Sequence, residues 1–216
     1  MANVSTAAVT PPVDERWRSF ARVHIFSAGE SIWMEPERIW LVSRGVVLLN
    51  LLHPDGEEVV VGLATPGTAF GLPLTSLTAY QAKALSKAEL MLFTLMEVES
   101  SPNLTQSLVR GLARRLSQAE GLLGITSHRR IEDRLRHLLL LLKQEIGQPH
   151  PLGTRYSVRL THQQLATAIG TSRVTMTRLL GKLKEEQWLT YDRDRHIILT
   201  NTAEISEGTP TCIKAP

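Results

Sequence analysis

A short run of arginine and hydroxyl side chains near the C-terminus has the residue types and spacing that read DNA. Arg173, Val174, Thr177 and Arg178 lie within two turns of a helix, and Val174 and Arg178, four residues apart, share one face. In a DNA major groove, arginine binds the O6 and N7 atoms of guanine, and a small apolar side chain contacts the thymine methyl group. This segment therefore predicts a helix that reads base edges.

Two short helices joined by a tight turn are predicted to position that face. Thr161 has the residue type of an N-cap, and Gln164 completes a capping box for the first helix. Gly170 ends that helix because glycine tolerates the positive φ of a tight turn, and Ser172 caps the second helix. The packing face of the second helix is apolar at steps of three and four, with Met176, Leu179, Leu180 and Leu183. The combination favours a helix-turn-helix over an ordinary amphipathic helix with solvated arginines.

The candidate DNA contacts lie at the starts of both helices and along the exposed face of the second. They are Thr161, His162, Ser172, Arg173, Val174, Thr175, Thr177 and Arg178. Charge favours double-stranded DNA as the partner, since residues 1–97 carry 7 lysines and arginines against 10 acidic residues, whereas residues 98–216 carry 17 against 11. The half that contains the helix-turn-helix is thus the basic half, as phosphate binding requires.

The composition disfavours several classes of protein. The chain has one cysteine, Cys212, which excludes an internal disulfide and a cysteine-ligated zinc or iron–sulfur cluster. This cysteine usage favours a cytoplasmic location. Residues 1–14 lack the basic and apolar regions of a signal peptide and predict a disordered arm. The leucine run Leu138–Leu142 is too short to cross a bilayer, so no membrane partner is expected.

Residues 15–97 have the pattern of short antiparallel strands. Turn signals at Arg44-Gly45, Pro54-Asp55-Gly56 and Pro66-Gly67 separate apolar runs of strand length. Those runs are Ile39–Leu41, Val46–Leu52, Val59–Leu63 and Leu90–Leu95. Short strands at this spacing predict a β-roll or barrel.

Residues 98–127 predict a long helix. Within Ser101–Ser127 one stripe is apolar at a helical period, at Leu104, Leu108, Leu112, Leu116, Ala119 and Leu123. The stripe suits a two-stranded coiled coil between identical chains, and burial of the stripe within one chain is the alternative. We predict the dimer, because helix-turn-helix regulators read two half-sites.

Residues 128–202 predict a winged helix-turn-helix. A helix at Arg130–Ile146 ends at Gln148-Pro149-His150-Pro151, and the runs Trp188–Tyr191 and His196–Leu199 form a hairpin after the helix-turn-helix. Residues 203–216 have no periodicity and predict a flexible tail. The predicted fold class is α+β, with an N-terminal antiparallel β-roll, a long dimerisation helix and a C-terminal winged helix-turn-helix.

Residues 24–200 resemble the CRP/FNR family of bacterial transcription regulators. The resemblance rests on Gly45-Val46-Val47-Leu48, Pro54-Asp55-Gly56-Glu57-Glu58 and Pro66-Gly67-Thr68-Ala69-Phe70-Gly71 in the roll, and on the run from Gly170 to Gly181. Within the family the recognition helix and the long helix are most similar to those of the cyanobacterial nitrogen regulators. The resemblance implies a cyclic-nucleotide-binding-like sensor roll and a homodimer on a palindrome of the type GTA-N8-TAC. It also implies RNA polymerase as a partner.

The resemblance also implies a small effector bound between the roll and the long helix. In the cyclic-AMP receptors two stretches of the roll bind the nucleotide, and an arginine in one of them pairs with the phosphate. The corresponding positions here resemble Thr68 and Thr78, so the arginine is missing and cyclic AMP is disfavoured. In the nitrogen regulators 2-oxoglutarate contacts a Phe-Gly pair and an arginine and a glutamate on the helix. The matching residues are Phe70, Gly71, Leu72, Arg115 and Glu120.

Two alternatives to an effector-gated regulator stay open on these residues. The arginine that the nitrogen regulators carry on the roll has no counterpart, and Pro73 removes a backbone donor. One alternative is therefore a ligand-independent regulator, in which Arg115 and Glu120 pair with each other or across the dimer. A cupin-like enzyme is the other. Its roll would need clustered metal ligands, yet His24 and His53 are far apart in sequence. We therefore predict no catalytic residues and no metal site, and neither haem nor an iron–sulfur cluster as cofactor.

Overall fold

A computed structural model describes residues 21–201 of the chain. The arm predicted at residues 1–14, the tail predicted at 203–216 and Cys212 lie outside the described residues. The N-terminal half forms two four-stranded antiparallel sheets, with strand orders β1-β8-β3-β6 and β2-β7-β4-β5. The strands are β1 (Arg22–Phe26), β2 (Ser31–Ile32), β3 (Arg38–Arg44), β4 (Val47–Leu52), β5 (Glu58–Ala64), β6 (Ala69–Phe70), β7 (Tyr80–Ala84) and β8 (Ala88–Thr94). The predicted β-roll is confirmed.

The interior of the roll is filled by apolar and aromatic side chains from both sheets. Trp40 and Phe70 are 1% exposed, and both lie in one cluster with Phe26 and Tyr80. Gly45 makes the tight turn between β3 and β4 at a φ of 87°, which a residue with a side chain rarely adopts. A 3₁₀ turn, Leu72–Leu74, follows β6.

A long helix, α2 (Pro102–Ser127), follows the roll and a short helix, α1 (Leu95–Ser100). Ser101 caps α2 at the predicted start, since its hydroxyl accepts from the backbone N–H of Leu104. Gly111 lets the helix approach the roll closely, because a Cβ there would lie 2.7 Å from the carbonyl oxygen of Gly67. The backbone N–H of Leu63 donates to Gln118 Oε1 over 2.7 Å, which fixes α2 against β5.

The C-terminal half confirms the winged helix-turn-helix. It consists of α3 (Ile131–Ile146), β9 (Gly147–His150), β10 (Gly153–Tyr156), α4 (His162–Ala168), α5 (Arg173–Glu185), β11 (Leu189–Tyr191) and β12 (Ile197–Thr200). Residues 147–150, predicted only to end a helix, form an edge strand in a sheet of order β11-β12-β10-β9. Pro149 is compatible with this strand because an edge strand can lack one ladder donor.

The roll and the winged helix-turn-helix share one hydrophobic core. Leu48 and Leu63 of the roll cluster with side chains from α2, α3, α4 and α5, and α4 packs directly against β5. A cavity of about 30 Å³, lined among others by Leu63, Gln118 and Leu165, lies at this junction. The helix-turn-helix thus packs against the roll through the contact between α4 and β5.

Candidate nucleic-acid interface

The helix-turn-helix has the caps and turn that its sequence predicts. Thr161 Oγ1 accepts from the backbone N–H of Gln164, and Gln164 Oε1 accepts in return from the N–H of Thr161 at 2.8 Å. Gly170 has a φ of 66°, and Ser172 Oγ accepts from the N–H of Thr175. These local bonds fix where α5 begins, and so fix which of its side chains face outward.

The exposed face of α5 carries the predicted base-reading residues. Arg173, Val174, Thr177 and Arg178 are exposed, and Val174 is 80% exposed although it is apolar. The opposite face is buried through Met176, Leu179, Leu180 and Leu183, as predicted. Thr161 and Ser172 are exposed, whereas His162 and Thr175 are half-buried. All eight predicted DNA contacts thus lie on α5 or at the helix starts beside it.

Thr177 connects the two helices of the motif through its hydroxyl group. His162 Nδ1 lies 2.8 Å from Thr177 Oγ1, and this hydroxyl donates to the backbone carbonyl of Arg173 at 2.9 Å. Partial burial lowers the pKa of His162, and the positive charge of Arg173 lowers it further. Both influences favour the neutral form of the His162 ring.

A salt-bridge network holds α5 against α3. Glu132 on α3 binds Lys182 on α5 at 2.6 Å and Arg136 at 3.1 Å, and Arg136 also pairs with Glu186. The hydrogen bond from Lys182 is the main reason that the pKa of Glu132 is lowered, with Arg136 adding to it. Arg136 lies over the ring of Trp188, 5.2 Å from its centroid. The recognition helix is thus fixed from its C-terminal side.

The wing, the hairpin predicted after the helix-turn-helix, is present as β11 and β12, and the sequence assigned no DNA contacts to it. Arg193 and Arg195 are exposed at its turn. Arg155 on β10 binds Asp192 through Nε at 2.5 Å and His196 through Nη2 at 2.7 Å. Desolvation opposes ionisation of Asp192, but hydrogen bonds from Arg155 and the backbone N–H of His196 lower its pKa to about 2. Alternating arginines at a predicted hairpin turn are the signal that could have identified this element.

Asp192 also belongs to a group of side chains with the composition of a cation site. The ligand atoms of Asp192, Asp194 and His196 lie within 4.8 Å of one another. Arg155 already binds two of the three, so its guanidinium supplies the positive charge that a metal ion would otherwise bring. The arrangement positions the wing rather than a metal.

Comparison with known proteins agrees with this geometry. Residues 133–207 match the Crp-like helix-turn-helix domain family. The chain is 33% identical to the global nitrogen regulator of Nostoc sp. over 208 residues, which cover 90% of each protein. It is 35% identical to the regulatory protein CysR of Synechococcus elongatus over 164 residues, covering 74% of this chain and 75% of CysR.

The chain belongs to the CRP/FNR family of transcription regulators. A CRP-family regulator from Thermus thermophilus has the same fold, with a TM-score of 0.71 and 21% identity over 83% of this chain and 93% of the Thermus protein. The relatives are transcription regulators and not enzymes, so the cupin-like enzyme is set aside. Within residues 21–201, no helix combines the length and apolar character needed to cross a membrane.

The effector residues that the CRP/FNR resemblance implied do not come together as the DNA-contact residues do. Phe70 is buried in the roll interior, and a Cβ at Gly71 would lie 2.6 Å from the carbonyl oxygen of Arg38. Arg115 is half-buried, and its Nη1 donates to Tyr80 Oη at 3.3 Å. Across residues 21–201, no hydrogen bond or ion pair joins Arg115 to Phe70, Gly71 or Leu72.

Glu120 on the long helix and the threonines Thr68 and Thr78 of the roll are also separate from one another in their contacts. Glu120 is exposed and makes no ion pair within the described part of the chain, so the predicted alternative of an Arg115–Glu120 pair is not present in this single chain. Thr68 is buried, and its hydroxyl has no hydrogen-bond partner among residues 21–201, whereas Thr78 is exposed. Tyr80, which the sequence analysis did not single out, is the roll residue that contacts Arg115. Burial is the main cause of its raised pKa.

Proposed function

We propose that the protein is a homodimeric regulator that binds a palindromic DNA site through α5, one half-site per subunit. The proposal rests chiefly on the outer face of α5, where the side chains of Arg173, Val174 and Arg178 are exposed to solvent. We assign Arg173 and Arg178 to guanine edges and Val174 to a thymine methyl group. The expected site is of the type GTA-N8-TAC, whose half-sites are about one helical turn apart.

The surface of α2 supports the dimer. Val109, Leu112, Leu116 and Leu123 are 59%, 36%, 61% and 73% exposed, respectively. At 3.6 residues per turn these four side chains lie within about 60° of one another around the helix. The helix packs on its own roll through a different face, which contains Leu104, Gly111, Gln118 and Ile125. Leu104, which the sequence pattern assigned to the stripe, therefore belongs to the buried face. An apolar stripe of this length on a 26-residue helix suits pairing with the same stripe of a second copy.

The wing adds phosphate contacts to the proposal. Because Arg155 neutralises Asp192, the exposed charges at the wing turn are Arg193, Asp194 and Arg195, which sum to a positive tip. Arginines at such a tip bind the DNA backbone without reading sequence. We therefore assign Arg193 and Arg195 to phosphates flanking the half-site.

For regulation, we propose that a small anionic metabolite acts at Arg115, where the long helix meets the roll. Relatives named global nitrogen regulator and the matching residues Phe70, Gly71, Leu72, Arg115 and Glu120 make 2-oxoglutarate the first metabolite to test. The second candidate is a ligand-independent regulator. It is favoured by the Arg115–Tyr80 hydrogen bond, which already links helix and roll without a ligand.

One experiment tests both levels of the proposal. The purified protein is used to select bound duplexes from a random pool, with and without millimolar 2-oxoglutarate. A palindrome of two GTA-like half-sites supports the dimeric readout, and a single half-site or no enrichment overturns it. A change in enrichment with 2-oxoglutarate supports gating, whereas identical pools favour the ligand-independent regulator.

A further inference from the structure

We propose that His162 is a phosphate contact of the DNA interface that takes up a proton when DNA binds, and that Thr177 aims its ring. The proposal rests on the proposed DNA-binding function and adds a chemical role for one residue pair. It is carried by the geometry of the hydrogen-bonded chain that joins α4 to α5. The ligand chemistry is a phosphodiester anion of the DNA backbone.

The hydrogen-bonded chain fixes which ring nitrogen carries the proton. Thr177 Oγ1 has a single proton, which it donates to the carbonyl oxygen of Arg173 at 2.9 Å. We therefore assign the proton between His162 Nδ1 and Thr177 Oγ1, 2.8 Å apart, to the ring. In the neutral ring Nε2 then carries no proton, and it has no hydrogen-bond partner among residues 21–201.

Protonation at Nε2 leaves this chain intact. The Nδ1–H group donates to Thr177 in both charge states, so the ring keeps its orientation when it becomes an imidazolium. Nε2–H then becomes a free, charge-assisted donor that suits a phosphate oxygen. In a helix-turn-helix the first helix crosses the DNA backbone, and His162 is the first residue of α4.

The surroundings of His162 keep the ring neutral until an anion arrives. Arg173 is the charged group of α5 that acts on it, and the rest of α4, Gln163–Ala168, carries no ionisable side chain. Burial and the charge of Arg173 together lower the pKa of His162 in the free protein. A DNA phosphate beside the ring raises this pKa, because its negative charge stabilises the imidazolium and offsets the positive charge of Arg173. Affinity should therefore rise as pH falls through neutrality, and level off below the pKa of the free protein.

The test measures operator binding by fluorescence anisotropy between pH 8 and pH 6 at fixed ionic strength. The wild-type Kd should fall on the order of tenfold, because each dimer can take up one proton at each of its two His162 rings. His162→Gln keeps a neutral polar side chain and should bind operator with little dependence on pH. Thr177→Val removes the aiming hydroxyl and should reduce the pH-dependent fold-change. His53→Gln, a substitution in the β4–β5 turn, is the matched control and should keep the wild-type response.

Salt dependence provides a second readout that a merely structural role for His162 would not change. At pH 6 the wild-type plot of log affinity against log salt should be steeper than at pH 8 by roughly 0.9 per subunit, because one more phosphate is neutralised. His162→Gln should show the same slope at both pH values. Equal slopes for the wild type at pH 6 and 8 would overturn the phosphate contact.

Nuclear magnetic resonance of ¹⁵N-histidine-labelled protein makes the proposal testable even if a variant fails to fold. We expect the Nδ1–H tautomer of His162 in the free protein at pH 8, and a higher pKa after operator is added. An Nε2–H tautomer, or an unchanged titration in the complex, contradicts the inference. Specific wild-type binding that is independent of pH removes only the role of His162. Absence of specific binding at any pH removes the proposed function itself.

Discussion

The DNA-reading surface and the junction between the roll and the long helix differ in how their residues come together. On α5, Arg173, Val174 and Arg178 fall on one exposed face within six residues of chain. At the junction, Arg115 comes from α2 and Tyr80 from β7, 35 residues apart, and the Phe70-Gly71 pair stays packed in the roll. The proposed DNA contacts are thus side chains left open to solvent. At the junction, the guanidinium of Arg115 already makes a hydrogen bond between the long helix and the roll.

The largest expected effect removes the dimer on which the DNA-reading surface depends. Leu112→Asp with Leu116→Asp places carboxylates in the apolar stripe of α2, the proposed dimer seam. Burying these charges without partners costs on the order of several kcal/mol of dimerisation free energy. The double variant should sediment as a monomer and lose operator binding. Ser117→Asp, also exposed on α2 but on another side of the helix, should stay dimeric. A wild type that is monomeric even on operator would show that the seam does not exist.

The next effect concerns the arginines of α5. Arg173→Ala or Arg178→Ala should each weaken specific binding by about 1–3 kcal/mol per half-site, because a bidentate contact to guanine is lost. Arg44→Ala, at an exposed arginine of the roll, should bind as the wild type does. Anisotropy on operator and on random duplex separates the roles. Similar losses on both duplexes, with a reduced salt slope, would reassign the arginine to a phosphate.

The third effect tests the junction between roll and long helix. If 2-oxoglutarate acts there, it should tighten operator binding roughly 5- to 150-fold, and Arg115→Ala should abolish the response. Tyr80→Phe should enhance the response, because it removes the phenol that competes for Arg115. Titrations at fixed salt with and without millimolar 2-oxoglutarate measure both. Superimposable wild-type curves would reject this metabolite.

A smaller effect concerns the hydrogen bond that holds the long helix against the roll. Gln118→Leu leaves the backbone N–H of Leu63 without its buried acceptor, which should lower the free energy of unfolding by about 1–3 kcal/mol. The melting temperature should fall by about 2–4 °C per kcal/mol in a chain of this size. Gln106→Leu on the exposed side of α2 is the control. Equal melting temperatures for Gln118→Leu and wild type would show that the bond contributes no net stability.

The smallest effect is a pH dependence of stability at α3, which connects the two regions. His137 is 1% exposed and stacks on His128 with ring centroids 4.2 Å apart. Burial is the main cause of its lowered pKa; the charge of His128 adds to it and Asp133 opposes it. Folding therefore favours the neutral ring. The contribution of His137 to the free energy of unfolding is fully present above the pKa of an unfolded histidine, about 6.5. It is lost as the pH falls from there through the folded-state pKa.

Urea unfolding between pH 5 and pH 8 measures this dependence on stability. His137→Phe keeps a ring to stack on His128 but cannot titrate, so it should flatten the acid side of the curve. His53→Gln should keep the wild-type curve. A His137→Phe profile that declines as steeply as the wild type would assign the acid sensitivity to other groups.

The helix-turn-helix was predictable because its signals are local. The capping box of Thr161 and Gln164, the positive φ of Gly170 and the period of Leu179 and Leu183 each depend on residues within one or two turns. The apolar runs between turn signals in the roll are equally local patterns. The stripe predicted on α2 holds for Leu112, Leu116 and Leu123, but Leu104 is buried on a different face of the helix. The edge strand β9 was missed because two prolines in Gln148–Pro151 are a loop signal, and only pairing with β10 makes the segment a strand.

By itself, the sequence determined the fold class and the exposed face of α5, because helical period, turn residues and capping are set by neighbouring residues, whereas the family followed from the resemblance of its motifs. Tertiary structure alone decided that Arg115 meets Tyr80, that Arg155 holds the wing and that His162 bonds to Thr177. These pairs join residues 35, 37 and 15 positions apart. Such contacts depend on how separately formed elements pack, and no periodicity along one element specifies which side chain faces it from another.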